Sequence, residues 1–458
     1  MHPVLFKIPL PAWAVPLGPA LFVLAGIGAL LAVFGQRKGA LDLLVIGVLA
    51  LVSGLVGGLL FRGQHYTLES LPIYSYGAML CASIVVGWYL SLEFGARDGL
   101  PRELLANCYF MTAILAFVGS RVLYVLTNLG EFHSLVDVLA VRRGGLVAYG
   151  GFLGGFAGSF WYLRRRGVAL LPWADVAVPS LASGLLLTRI GCYLFGCDFG
   201  KPLAADAPGW LKRLGTFPRW PEDLLDGAGS PAWMQHVNER GLSITSQASL
   251  PVHPTELYES AAGGLLLVLT LWLMRRRRFR GETFFAFTFG YGYLRFLLEI
   301  VRDDSERGTF GPAFREHVLV PALLVLFAAA FAYGPARSIS NRVARRASVA
   351  LGFAIAAAAY FVLRPPHLGA ANVVQLSTSQ WISLLTALGV AFAWHKREAL
   401  ALRGEVRALE PAIAATAMTT AAAVTADAAA ASSPPSSMPA AQPSPPKNKA
   451  KRAKKKRR

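Results

Sequence analysis

Apolar runs of about twenty residues recur along most of the chain, separated by short polar stretches rich in arginine. The hydrocarbon core of a bilayer needs roughly 20 residues of helix to cross it. The pattern therefore predicts an all-α polytopic membrane protein. Eleven spans are expected, at about 12–35, 41–61, 74–94, 103–129, 144–163, 173–195, 257–274, 282–301, 317–333, 348–363 and 381–396. The basic loops are Arg37-Lys38, Arg97 with Arg102, Arg164 to Arg166, Arg275 to Arg280, and Arg337 with Arg342, Arg345 and Arg346. They follow the first, third, fifth, seventh and ninth spans. Lysine and arginine in short loops mark the cytoplasmic side, so the N-terminus is expected outside and the C-terminus in the cytoplasm. Residues 201–252 form an outer loop too long for a bare connection, and a small folded head is expected there.

Composition agrees with this pattern. The chain has 458 residues, 54% hydrophobic and 16% charged; a soluble domain carries about 25% charged residues. The net charge of +19 does not point to a specific nucleic-acid partner. Nine of those charges lie between Lys447 and Arg458, at the end of an alanine-, proline- and serine-rich tail that begins after residue 403. Such a tail cannot bury a core and should be disordered. Its basic end suits anionic lipid head groups. Four cysteines are too few for a disulfide scaffold. Lys7 alone makes no basic cluster, which argues against a cleaved signal peptide.

Candidate chemistry gathers at helix ends. In Arg189-Ile-Gly191-Cys192-Tyr-Leu-Phe-Gly196-Cys197-Asp198-Phe-Gly200, Arg189 lies roughly 9 Å below the end of its span. An arginine at that depth is usually functional, although a snorkelling side chain also fits. Gly196 and Gly200 break the helix and permit close backbone approach. The fifth span places Gly150, Gly154 and Gly158 on one face, the spacing of close helix packing, with Tyr149 near its outer end, where an interfacial anchor is the plain reading. The seventh opens with His253-Pro254-Thr255-Glu256-Leu257-Tyr258-Glu259. The eighth ends with Arg295, Glu299 and Arg302 on one face, and an internal Arg295–Glu299 ion pair is one reading of them. Tyr76, Tyr149, Arg189, His253 and Arg295 all fall at outer ends or in outer halves. Five segments thus place polar residues at one depth on one side, as a polar cavity open to the outer leaflet would. The planar fork of arginine suits phosphate.

These stretches together resemble the prolipoprotein diacylglyceryl transferase family. The resemblance runs from about Ser75 to Arg307 and again at Ser377-Thr-Ser-Gln380, with the three motifs in order and at similar spacing. It implies transfer of diacylglycerol from phosphatidylglycerol to the lipobox cysteine thiol of a prolipoprotein in the bacterial cytoplasmic (inner) membrane, with no cofactor. It implies catalytic roles for Tyr76, Arg295 and Glu299. Tyr149 and His253 are added as catalytic candidates on their position: His253 as a base or else as a cap of the seventh helix, and Tyr149 as a hydrogen-bond donor to the lipid. Phosphatidylglycerol would be held by Arg189, Arg295, Arg302, Gly200 and Cys192. No metal is expected, because two cysteines alone make an incomplete zinc site. Cys192 and Cys197 are read as inert helix-end residues, with a disulfide as the second reading. Many family members carry histidine where this chain has Tyr149. Many also have asparagine in place of Cys192 and an acid in place of Cys197.

The expected organisation is a two-helix extension (1–66), a seven-helix transferase core (67–310, with its head at about 201–252), an inserted pair of helices (311–374), a last core helix (375–402) and the tail (403–458). A phospholipid flippase is the rival reading. It should show internal repeats and polar sites near the midplane, and the sequence shows neither.

Overall fold

The computed structural model describes residues 3–38, 41–63, 65–132, 134, 137–138, 145–220, 229–303, 308–365 and 372–403. The basic tail lies outside the described residues. The chain opens with strand β1 (Val4–Pro16), helices α1 (Leu17–Lys38) and α2 (Leu41–Leu60), and strand β2 (His65–Tyr74). Then follow α3 (Ser75–Arg97), α4 (Arg102–Thr127), α5 (Ala148–Arg165) and α6 (Leu170–Phe195). Two short helices, α7 (Gly209–Leu214) and α8 (Pro231–Arg240), precede α9 (Thr255–Met274) and α10 (Glu282–Val301). Strand β3 (Thr309–Arg315), α11 (Glu316–Tyr333), α12 (Arg342–Leu363), strand β4 (Val373–Ser377) and α13 (Thr378–Leu402) complete it.

Nine of these helices are long and apolar enough to cross a membrane, counted among the described residues. The chain is a multi-pass, mostly helical membrane protein. Helices α5 and α13 are long enough but less apolar: α5 is rich in glycine and ends in Arg164-Arg165, and α13 carries His395, Lys396, Arg397 and Glu398 near its end.

The first helix starts at Leu17, later than the expected residue 12, because the preceding residues pair antiparallel with β2. Pro9, Pro11 and Pro16 each lack the N–H that a helix interior needs. The last two spans are longer than expected. Helix α12 takes in Arg342, Arg345 and Arg346, which sit at its end where long side chains reach out of the hydrocarbon.

Close glycine contacts set the helix pairs. A side chain at Gly150 would sit 2.3 Å from the Gly119 carbonyl oxygen, and one at Gly154 would sit 2.1 Å from that of Leu115. The glycine face of α5 is therefore its packing face against α4. The head between α6 and α9 has its own small core of Phe199, Phe217, Ala232 and Val252. Trp220 and Trp233 are buried in it, while Trp210 is exposed.

An ionic clamp holds the helix ends farthest from the candidate site. Buried Asp175, near the start of α6, accepts the Gly281 and Phe284 N–H groups at 2.7 and 2.9 Å. This satisfies backbone donors at the start of α10, which have no partner within the helix. Arg277 lies 3.5 Å from the same carboxylate and also pairs with Asp98 at the end of α3. Arg280 pairs with Asp98 at 2.6 Å. The starts of α6 and α10 are thus tied side by side, so the two helices run parallel and their far ends meet. Asp175→Ala should lower stability by about 3 kcal/mol, since two N–H groups lose their acceptor and the buried Arg277 guanidinium loses one of its two carboxylate partners. Thermal unfolding in detergent checks this, and an unchanged melting temperature would refute the clamp.

Candidate active site

The far end of α6 is where the chemistry collects. Gly196 takes a left-handed conformation (φ 83°), and its N–H reaches back to the Cys192 carbonyl at 2.7 Å, closing the helix. Asp198 also has positive φ, 65°, a region that aspartate tolerates better than most residues. Gly200 is then wedged between two chain segments. A Cβ there would sit 2.5 Å from the Val301 carbonyl oxygen and 2.8 Å from the His253 Cβ. Its N–H donates to the His253 carbonyl at 2.9 Å, and the Lys201 N–H donates to Val301 at 2.8 Å. The Thr255 hydroxyl donates to the Asp198 carbonyl at 2.6 Å. The loop after α6 is thus stitched to the start of α9 and the end of α10.

That stitching assembles three guanidinium groups around three carboxylates. Glu259, one turn into α9 and 2% exposed at its side chain, pairs with Arg189, Arg295 and Arg302. Asp198 bridges Arg189, at 2.7 Å, and Arg302. Arg295 also pairs with Glu299 at 3.2 Å, one helical turn on. Formal charge balances, three positive against three negative. Among these carboxylates Asp198 is the most open, its side chain 33% exposed against 2% for Glu259 and 4% for Glu299. Glu256 is fully buried, and neither of its side-chain oxygens has a hydrogen-bond partner among the described residues.

The remaining sequence-predicted residues lie around this network at different removes. Cys192 is buried, with its sulfur 3.8 Å from Arg189 Nη1. Tyr76 is 41% exposed and packs its ring against Gly191, within electrostatic reach of Arg189 and Asp198. Tyr149 donates from its hydroxyl to Ser379 Oγ at 2.9 Å. Ser377-Thr-Ser-Gln380 forms the start of α13, where the Ser377 and Gln380 side chains cap the helix reciprocally. Tyr291 lies within electrostatic reach of Glu259, Arg295, Arg189 and Tyr149. His253 sits on the other side of Gly200, its Nδ1 3.3 Å from the Tyr258 hydroxyl. Burial and Lys201 hold its imidazole below the usual histidine pKa, so the ring is neutral at pH 7.

Both cysteines of the loop are free thiols. Contact with Cys192 and burial push the Cys197 thiol well above the usual thiol range, which keeps it protonated. Cys192, Cys197 and Asp198 place three possible ligand atoms within 4.8 Å of one another. Asp198 is already committed to two guanidiniums and Arg189 points at the Cys192 sulfur, so a cation there would meet positive charge.

A family model described as prolipoprotein diacylglyceryl transferase matches residues 64–396. The chain belongs to the prolipoprotein diacylglyceryl transferase family. It is 32% identical over 236 residues to the phosphatidylglycerol–prolipoprotein diacylglyceryl transferase of Thermus thermophilus, covering 50% of this chain and 79% of that relative. It is 30% identical over 251 residues to the protein of that name from Psychrobacter arcticus (53% and 81%). The Clostridium tetani relative is 26% identical over 239 residues (52% and 84%). Helices α1 and α2 precede the matched region.

In this transferase, Glu259 and Asp198 are the residues that sequence reasoning left without a role. Both stood inside quoted motifs. The available signal was charge: three arginines buried at one depth need more acid than Glu299 supplies. Glu259→Gln should cost about 3–5 kcal/mol, the usual effect of removing one partner from a buried ionic group. Denaturation of the purified variant tests this. A variant as stable as the parent would mean that the arginines do not depend on Glu259.

Proposed function

We propose that this chain transfers the diacylglyceryl group from phosphatidylglycerol to the lipobox cysteine thiol of prolipoproteins, the first step of lipoprotein maturation. The carrying observation is the trio of guanidiniums fixed around Glu259 at one end of a membrane-crossing bundle. The thiol sulfur forms a bond to the glycerol carbon, and that carbon's bond to the phosphate oxygen breaks. Glycerol phosphate leaves with the electron pair, and the thiol proton is lost. Negative charge grows on the phosphate as the bond breaks, and guanidiniums already in place stabilise it without reorganising. The nucleophile is the substrate's own thiol, so the enzyme needs no nucleophilic cysteine.

In this reading, Asp198 stands where the lipid phosphate binds. It is the exposed acid of the network, it bridges Arg189 and Arg302, and its loop ends α6. Glu259 and Glu299 keep the arginines in position when phosphate displaces it. Tyr76 flanks the opening beside Gly191, and Tyr149 is held by Ser379 at the start of α13. Cys192 fills the helix end beneath Arg189. The extension (1–66), core (67–310) and inserted pair (311–374) are read as separate parts of one membrane unit. The chain resides in the bacterial cytoplasmic membrane, N-terminus outside and C-terminus in the cytoplasm, with the arginine network toward the outer leaflet. The basic tail lies against anionic lipid.

Two experiments test this reading. With phosphatidylglycerol and a lipobox peptide in reconstituted membranes, Arg189→Lys and Arg295→Ala should each lower transfer at least about tenfold, on the order of 1.4 kcal/mol. Asp198→Asn should instead lower the KM for the lipid, because asparagine keeps the left-handed turn and removes the competing charge. Normal turnover in either arginine variant, or a raised KM in Asp198→Asn, counts against the assignment.

The second experiment concerns the thiol proton. His253 is neutral at pH 7 because its pKa is held below about 6.5. A base of this kind stays available as pH rises and is lost as pH falls through the lowered value. Wild-type rate should therefore decline only below about pH 6.5. His253→Gln should be slow at pH 7 and recover toward pH 9, as the substrate thiol (pKa about 8.5) ionises unaided. A defect of equal size at both pH values would assign His253 to holding the loop.

A further inference from the structure

The opposite end of the bundle carries a second basic site. Helix α11 begins at the end where α10 finishes with Arg302, and α13 begins there too, with Ser379 against Tyr149. The end of α11, the start of α12 and the end of α13 therefore lie a membrane thickness away from the arginine network. A cavity of about 480 Å³ opens there between α11 and α12. That is within the roughly 300–1,000 Å³ common for small-molecule sites. Arg337, Arg345 and Arg346 line it together with Ala332, Ala336 and Val349.

Charge at this cavity is unbalanced. Arg345 and Arg346 form no ion pair among the described residues. Arg337 donates to Nδ1 of His395, at 2.6 Å, rather than to an acid. His395 in turn stacks on Tyr333, ring centroids 4.4 Å apart. Of the acids at this end of the bundle, Glu282 and Glu398 are taken up by Arg278, and Asp98 and Asp175 by Arg277 and Arg280. Arg342 and Lys396 add exposed positive charge nearby. Helix α12 also starts here, so its dipole adds to the field.

We propose that this cavity binds the phosphate of an anionic phospholipid from the leaflet opposite the active site. Basic pockets between membrane helices at the cytoplasmic surface suit such head groups. The cavity wall favours a lipid over free phosphate. Its alanines and valine run into a helix whose outer face is bare: Leu351, Phe353, Phe361 and Val362 are exposed, and Ala356 is the buried residue of α12. An acyl chain can follow that face while the arginines hold the head group. The site is separate from the arginine network that handles the substrate lipid.

Native mass spectrometry of the full chain, with phosphatidic acid or phosphatidylcholine added to the detergent micelles, tests the proposal. The wild type should retain phosphatidic acid in preference to phosphatidylcholine. R345Q/R346Q should weaken phosphatidic acid retention at least about fivefold, while R345K/R346K, which keeps the charge, should restore most of it. Helical content and melting temperature in phosphatidylcholine should match the wild type in both variants, since neither arginine side chain forms an ion pair among the described residues. Equal retention by wild type and R345Q/R346Q would overturn the proposal. So would millimolar inorganic phosphate that displaces the lipid and raises the melting temperature by itself, which would mark a soluble-phosphate site.

Discussion

One carboxylate, Glu259, makes the rest of the site possible. Three guanidiniums brought together in a low-dielectric setting repel one another and lose hydration. Glu259 lies between all three and pairs with each from the same point, while Asp198 and Glu299 complete the charge balance. The arrangement fixes where each fork points, because Arg189 comes from α6 and Arg295 from α10. A loose set of arginines would snorkel toward the surface. This set stays paired where α6, α9 and α10 meet.

The backbone around Gly200 enforces the same geometry from outside. Hydrogen bonds from Gly200 and Lys201 join the loop to both His253 and Val301, which lie next to the helices that carry Glu259 and Arg302. The distances among the charges are therefore set by main-chain contacts and not only by ion pairs. At the other end, the Asp175 clamp fixes the start of α10 against α6. With both ends held, the arginines of two different helices have little freedom to drift apart. That is the pre-organisation that electrostatic stabilisation of a leaving phosphate requires.

Much of this was legible in the chain. Apolar length located the helices, and the four- and seven-residue spacing of Arg295, Glu299 and Arg302 put them on one face. The local pair Arg295–Glu299 followed from that spacing and is present at 3.2 Å. What periodicity could not show is pairing between distant segments. Glu259 meets Arg189 across 70 positions, and Tyr149 meets Ser379 across 230. Nor did apolarity reveal β1, because a proline-containing apolar strand and a helix end look alike until their backbone partners are known. The chain's Asp198 illustrates the remaining gap. It stood inside a quoted motif without a role, and its bridge between two arginines depends on a positive φ that no spacing encodes.

Helices α11 and α12 raise a last physical question: how a core built on such exact contacts accommodates a two-helix excursion between α10 and α13. The answer lies in strands β3 and β4. They pair antiparallel, with Thr309 opposite Ser377 and Arg315 opposite Val373, so the two ends of this segment are side by side. A loop whose ends already meet can lengthen at small cost, since closure entropy grows only with the logarithm of length. The segment comprises two helices, an even number, and returns the chain to the end of the bundle it left. Helix α13 therefore starts beside the site, where Ser379 receives the Tyr149 hydroxyl. An odd number would have brought it in from the opposite side and removed that contact. The same constraint lets α11 and α12 carry a basic cavity at the far end without disturbing the arginine network.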